Sequence, residues 1–264
     1  MPTTIDKSLP EPRALAVPSL LTQLTSLLYI EMTNWRWSWR AMIIAGTFAP
    51  VLSILGLGIF ARDSGPLALS YVLTGNLVLS LMFGNMGAIE SHVTFLRFRG
   101  TLEYFATLPI RRSMLVLAMM IAFLVISTPS LIVTLLLGVW FLGVPVHPHP
   151  LLLVVIPLCA VPLSGIGALI GASVSAPEHG NSLIVIVTLL LTGLGPVVIP
   201  PDRLPPLLLF LGNFSPAAYA ASAMRQVLLG PLTPQLWLDL GVLAGLSVVI
   251  FAIVSKKLDW RQEV

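Results

Sequence analysis

From Ser113 to Pro177 the chain carries no Asp, Glu, Lys or Arg. No water-soluble fold hides a stretch this long without a charge, whereas about 20 apolar residues per crossing is what a helix needs to traverse about 30 Å of hydrocarbon. Inside the run, Val144-Pro145-Val146-His147-Pro148-His149-Pro150 interrupts any helix, because alternate residues lack an N–H. One span is therefore expected within 113–143 and another within 151–176. Ala41 to Phe60 and a run over 66–90 precede them, and 181–199 and 236–255 follow, the fifth closed by Pro196, Pro200 and Pro201. The expected fold is an all-α integral membrane protein with six transmembrane helices. The third run exceeds one crossing and holds Pro129, so tilt, a kink or a cytoplasmic start all remain open.

Composition agrees: 56% of residues are hydrophobic, 9% are charged, and mean hydropathy is +0.96. Soluble surfaces need about 25% charged residues, so lipid must cover most of this one. Lysine occurs only at Lys7, Lys256 and Lys257, which excludes a phosphate-binding GxxxxGK[ST] loop. Cys159 is the single cysteine, and an intramolecular disulfide is impossible. Residues 1–18, with four prolines and no apolar h-region, read as a mobile tail, and 19–264 as one transmembrane domain.

Charge asymmetry orients the spans. Lys7, Arg13, Arg36, Arg40, Arg97, Arg99, Arg111, Arg112, Lys256, Lys257 and Arg261 fall on one side, against Arg62, Arg203 and Arg225 on the other. Both termini are therefore expected in the cytoplasm. Over 19–36, Leu21, Leu24, Leu28, Met32 and Trp35 recur at helical spacing, the pattern of an amphipathic helix lying in the interface against membrane lipid.

The loop after the second span reads Arg97-Phe98-Arg99-Gly100-Thr101-Leu102-Glu103-Tyr104-Phe105-Ala106-Thr107-Leu108-Pro109-Ile110-Arg111-Arg112. Gly100 breaks the arriving helix, Thr101 is the expected N-cap, and Pro109 is the stop. Leu102, Phe105 and Leu108 share one face of the resulting two-turn helix. Near the other end, Pro205–Leu211 and Ala217–Leu229 are apolar but too short to cross, as in helices that dip into a membrane and return. Arg225 lies among apolar residues and calls for a partner, with Asp202 and Asp239 as candidates. His147 and His149, without a carboxylate or thiol beside them, make a poor metal site.

The run Gly-Thr-Leu-Glu-Tyr…Leu-Pro-Ile-Arg-Arg closely resembles the coupling-helix segment of type-2 ABC exporter permeases, and Asn213-Phe214-Ser215-Pro216, Tyr219 and Arg225 resemble, more loosely, the segment between their spans five and six. The resemblance implies that Gly100, Thr101, Leu102, Glu103, Tyr104, Phe105, Pro109 and Arg111 dock a separate ATPase subunit, present in two copies, with Glu178 as a smaller contact. It implies a second permease copy as a homodimer, in the cytoplasmic membrane of a prokaryote. ATP and Mg would sit in the partner, with no cofactor or metal in this chain, no catalytic residue of its own and no nucleic acid. Polar residues in spans two and five are either helix contacts or, as the resemblance favours, a translocation path of Asn76, Ser80, Phe83, Asn85, Thr188 and Thr192. Asn213, Pro216, Tyr219 and Arg225 become an outer gate, with Arg225 a clamp or a substrate contact. The apolar path favours a hydrophobic or amphipathic cargo over a sugar polymer. An ion-coupled carrier, which would want mid-span charges and internal repeats, and a membrane enzyme or assembly factor are the alternatives.

Overall fold

The structure, a computed structural model, describes residues 18–34 and 39–257. Among these residues it is all-helical. Ten helices follow in order: α1 Leu20–Asn34, α2 Trp39–Arg62, α3 Pro66–Phe98, α4 Thr101–Thr107, α5 Arg112–Leu142, α6 Leu152–Gly171, α7 Pro177–Gly193, α8 Pro206–Gly212, α9 Pro216–Leu229 and α10 Pro234–Lys257. Five of them (α2, α3, α5, α6 and α10) are long and apolar enough to cross a membrane singly. Their ends define a basic end of the bundle, with Arg97, Arg111 and Lys256, and an opposite end. At the opposite end Arg62 Nη2 donates to the Phe141 carbonyl at 2.8 Å and Arg203 Nη1 to Ser64 Oγ at 2.9 Å.

The central helix is α3. Its most apolar window is 72% buried, against 22% for α2 and 28% for α10, whose outer faces are left for lipid or another chain. It runs 33 residues, well past Glu90, where a single crossing was expected to end. A π turn over Met82–Met86 interrupts it, and there α2, α5 and α6 converge. Hydroxyls knot three helices at that level: Thr47 Oγ1 lies 3.0 Å from Ser130 Oγ, Ser80 Oγ 3.3 Å from Ser130 Oγ, and Thr134 donates to Ser80 at 3.4 Å. In a low-dielectric interior such bonds join helices that have no hydrophobic drive to associate. α6 comes closer still, since a Cβ on Gly167 would fall on the Met86 carbonyl group. Gly167→Val is therefore expected to lower stability by about 1–3 kcal/mol, read as a depressed thermal midpoint in detergent. α5 passes unbroken through Pro129 for 31 residues.

α7 departs from the expected fifth span. It begins at Pro177, with Gly180 against the Glu90 carboxylate, and ends at Gly193 rather than Ile199. Leu194 leaves the helical region, Gly195 takes φ 117, and the chain turns so that the Val197 carbonyl packs on Gly75 in the first part of α3. α7 thus leads from the basic end toward the opposite end in 17 residues, about 25 Å. The pair α8–α9, bent by 86°, then starts beside Arg203, turns where Ser215 Oγ donates to the Leu191 carbonyl at 2.9 Å, and ends where the Leu228 and Val227 carbonyls accept the His147 and His149 amides at 2.8 and 3.0 Å. Both ends of the pair lie toward the opposite end of the bundle.

α1 turns a partly polar face into the protein. Its buried residues are Gln23, Leu27 and Glu31, while Leu21 and Met32 of the apolar stripe face outward and Leu24 and Leu28 are half-buried. Leu27 packs in the protein core and Gln23 and Glu31 find polar partners there, while the outer leucine and methionine are left exposed. Trp35, Arg36 and Trp37 lie outside the described residues.

Candidate ATPase-docking site and membrane cleft

At the basic end the chain leaves α3 through Gly100, at φ 69 and ψ 8. Its N–H donates to the Arg97 carbonyl at 3.1 Å and its own carbonyl accepts the Glu103 N–H at 3.1 Å. Gly100 therefore closes one helix and caps the next. Thr101, the expected cap, is already the first helical residue and makes no side-chain cap. A left-handed residue needs no Cβ, and its position leaves the Thr101 hydroxyl one residue too late. Leu108, extended at ψ 146 ahead of Pro109, ends α4.

The seven residues of α4 divide cleanly. Leu102 and Phe105 are 7% exposed and join Leu27, Val93, Leu96, Leu115 and Val254 in one apolar cluster, with Leu108 half-buried beside it. Glu103 and Tyr104 face outward, Tyr104 63% exposed. The Arg111 and Arg112 side chains are exposed as well. Glu178, on the first turn of α7, is also exposed. The helix is a rigid knob: apolar side anchored, polar and aromatic side presented.

The turn from α6 to α7 is held by Arg97, whose Nη1 donates to the Gly171 and Val174 carbonyls, each at 3.1 Å. These are carbonyls at a helix C-terminus, where a cation is favourable. Glu90 and His92 are both buried. Thr94 donates to Glu90 Oε1 at 2.9 Å, and His92 faces Glu31 of α1.

Two clefts adjoin this end. One of about 220 Å³ lies between the last turns of α3 and the start of α7, with Glu90, Phe98 and Arg99 on its wall. The second, about 400 Å³, runs between α2, α3 and α7 past Phe83, Gly84 and Gly87. Both are lined in part by Ser91 and Asn181, and the walls of both are mostly apolar. Sequence reasoning missed Ser91 and Asn181. Of the path residues it named, Phe83 lines the cleft. Asn76 is buried with Nδ2 donating to the Val72 carbonyl at 2.7 Å, Ser80 is turned into the hydroxyl knot, and Asn85 is buried with neither amide atom bonded. Thr188 is buried with its hydroxyl unbonded, and half-buried Thr192 donates to the Thr188 carbonyl at 2.7 Å.

At the opposite end Tyr219 Oη donates to the Asn213 carbonyl at 2.8 Å, tying the α8–α9 turn, and Pro216 is buried at the start of α9. Arg225 makes no direct ion pair with either expected acid, although Asp239 stands near enough for charge attraction. Its guanidinium carbon stands 3.4 Å from the Tyr71 ring centroid, with Nε and Nη2 buried and unbonded. Asp239 is instead held by Gln235 and Gln226, at 2.9 and 3.3 Å, and Asp202 is exposed in the turn Pro201–Arg203. The Tyr71 face is thus the direct contact of the Arg225 guanidinium, with Asp239 a more distant opposite charge.

A helical membrane bundle with a short anchored helix between its second and third long helices is the setting for a decisive comparison: residues 22–229 match the family model for ABC-2 type transporters. The chain belongs to the ABC-2 type transporter family. It is a transmembrane component of such a transporter, and the match spans α1 through α9. No protein of curated function matches the chain. Among the described residues no group of three His, Cys, Asp or Glu could hold a metal.

Proposed function

We propose that this ABC-2 type transporter chain is the permease of an ATP-driven exporter, working as a homodimer with two copies of a separate ATPase that holds ATP and Mg. The observation that carries the proposal is α4, with Glu103 and Tyr104 held outward at the basic end by Leu102 and Phe105. In this reading α2, α3, α5, α6, α7 and α10 make six crossings of a prokaryotic inner membrane. The α8–α9 pair is re-entrant from outside. An even number of crossings with Arg97, Arg111 and Lys256 at one end puts both termini in the cytoplasm.

The cleft supports a hydrophobic or amphipathic cargo: its wall is mostly apolar, with Ser91 and Asn181 among its few polar side chains, a setting for an amphiphile drawn from the inner leaflet. ATP binding closes the ATPase pair, α4 moves with it, and the bundle switches access. The test is ATP-dependent movement of a fluorescent alkyl-chain amphiphile in proteoliposomes holding permease and ATPase. Movement that needs ATP supports the proposal, and an ATP-independent, ion-gradient-driven movement refutes it. Gly87→Phe places a ring in the cleft at a position whose nearest neighbour, Ile184, a Cβ meets only at 3.6 Å. This variant is expected to fold, to retain its ATPase, and to lose amphiphile movement by about tenfold or more, the loss of a well-filled site of ~1.4 kcal/mol or greater.

A further inference from the structure

α1 buries three residues along its length, Gln23, Leu27 and Glu31, spaced four apart on one face. Each meets the segment that carries α4. Gln23 Oε1 accepts the Arg111 backbone N–H at 3.0 Å, at the residue where the chain leaves α4 for α5, while its Nε2 donates to the Pro18 carbonyl at 2.9 Å. Leu27 lies in the cluster that buries Leu102 and Phe105. Glu31 lies with both carboxylate oxygens 3.2 and 3.1 Å from His92 Nε2, on the stretch of α3 leading into Gly100. The His92 ring in turn packs at 5.3 Å from Phe123 of α5.

Two polar residues at 2% and 1% exposure on an interfacial helix need a reason, because burying them costs free energy unless their partners are in place. Here the partners are the two limbs on either side of α4. We infer that Gln23 and Glu31 are positioning residues: they clasp the descending and ascending limbs of the α4 hairpin, so that α1 and α4 move as one body when the ATPase engages. α1 thereby carries the displacement of a seven-residue helix into a 15-residue lever lying on the membrane surface. The spacing fits this role. Four-residue steps keep the three contacts on one face, and the two ends are polar and directional where the middle is apolar. The inference rests on the permease reading above.

The test uses the purified permease–ATPase complex in lipid vesicles, comparing Gln23→Leu, Glu31→Leu and the conservative Glu31→Gln, which retains an acceptor for His92. Both leucine variants are expected to keep the ATPase bound and the KM for ATP unchanged while kcat falls about tenfold, the shift expected when one buried hydrogen bond is lost and its partner left unsatisfied. Glu31→Gln should stay within about twofold, since a neutral acceptor still closes the contact. A second measurement needs no variant: hydrogen exchange in the wild-type complex, with and without ATP and vanadate, should change protection in α1 and α4 together. Leucine variants with wild-type kcat, or exchange that changes in α4 and not in α1, overturn the inference. Failure of the intact chain to retain any ATPase would instead refute the permease reading itself.

Discussion

Tyr104→Ala combined with Glu103→Ala leaves the permease folded and releases its ATPase. Both side chains project from α4 and neither enters the apolar cluster beneath it, so their removal creates no cavity and should shift stability by less than about 0.5 kcal/mol. An exposed tyrosine beside a carboxylate, on a helix too short to bend, has the composition of an interface anchor, where one aromatic truncation costs about 2–4 kcal/mol. Co-purification with the ATPase should fall by about 30-fold or more at sub-saturating concentration, the conversion of such a loss. ATP hydrolysis by whatever complex remains should fall with it. Size-exclusion profiles and melting midpoints of the permease alone provide the control, since both should stay at wild-type values.

Phe105→Ala reaches the same end by a different route. Phe105 is 7% exposed within the cluster that includes Leu27, Leu96, Leu115 and Val254. Removing a buried phenyl ring costs about 3–5 kcal/mol. A helix of seven residues has almost no stability of its own, so that cost falls on the docking of α4 against the bundle. The knob should come loose while α3 and α5 hold, because Leu77, Leu81, Met82 and Met86 of α3 and Leu131 of α5 pack in a separate cluster that does not include Phe105. Limited trypsin treatment should then cut at Arg99, Arg111 or Arg112 at least about tenfold faster than in wild type, in keeping with cleavage tracking the open population. ATPase binding should drop even though Glu103 and Tyr104 are intact. The pair of variants separates contact from positioning: the first loses binding without loosening α4, the second loses binding because α4 is loose.

The parts of this molecule that were legible in its sequence rest on local backbone chemistry and on bulk composition. Charge-free runs mark the long helices because lipid tolerates little else. Gly100 and Pro109 bound α4 because a left-handed turn and a pre-proline residue have few alternatives. The parts that were not legible depend on which face of a helix meets which neighbour. The apolar stripe of α1, with Leu21 and Met32, marks a helix against lipid, but it does not show which residues the opposite face buries. A helix with lipid on one side and protein on the other can put its leucines outward, and Gln23 and Glu31 take the inside. Their four-residue spacing was the available signal. The π turn at Met82–Met86 follows from the crowding of α2, α5 and α6 around Gly84 and Gly167, which no single segment encodes. Arg225 needed a partner, as expected, but Tyr71 is distant in sequence and an aromatic face leaves no trace in a count of opposite charges. Ser80 was read with Asn76 and Asn85 as one polar stripe, and the tertiary packing sends it to the hydroxyl knot instead.

The central claim, that α4 is where the ATPase docks, is met most directly by photo-crosslinking in native membranes. A photoreactive phenylalanine analogue at position 104 is compared with one at position 140, where Trp140 is 81% exposed near the opposite end of α5. The account predicts that irradiation at position 104 yields an adduct of the permease with an ABC-type ATPase, and that position 140 yields none. An ATPase adduct from position 140, or none from position 104 in membranes where the two proteins co-purify, would contradict it.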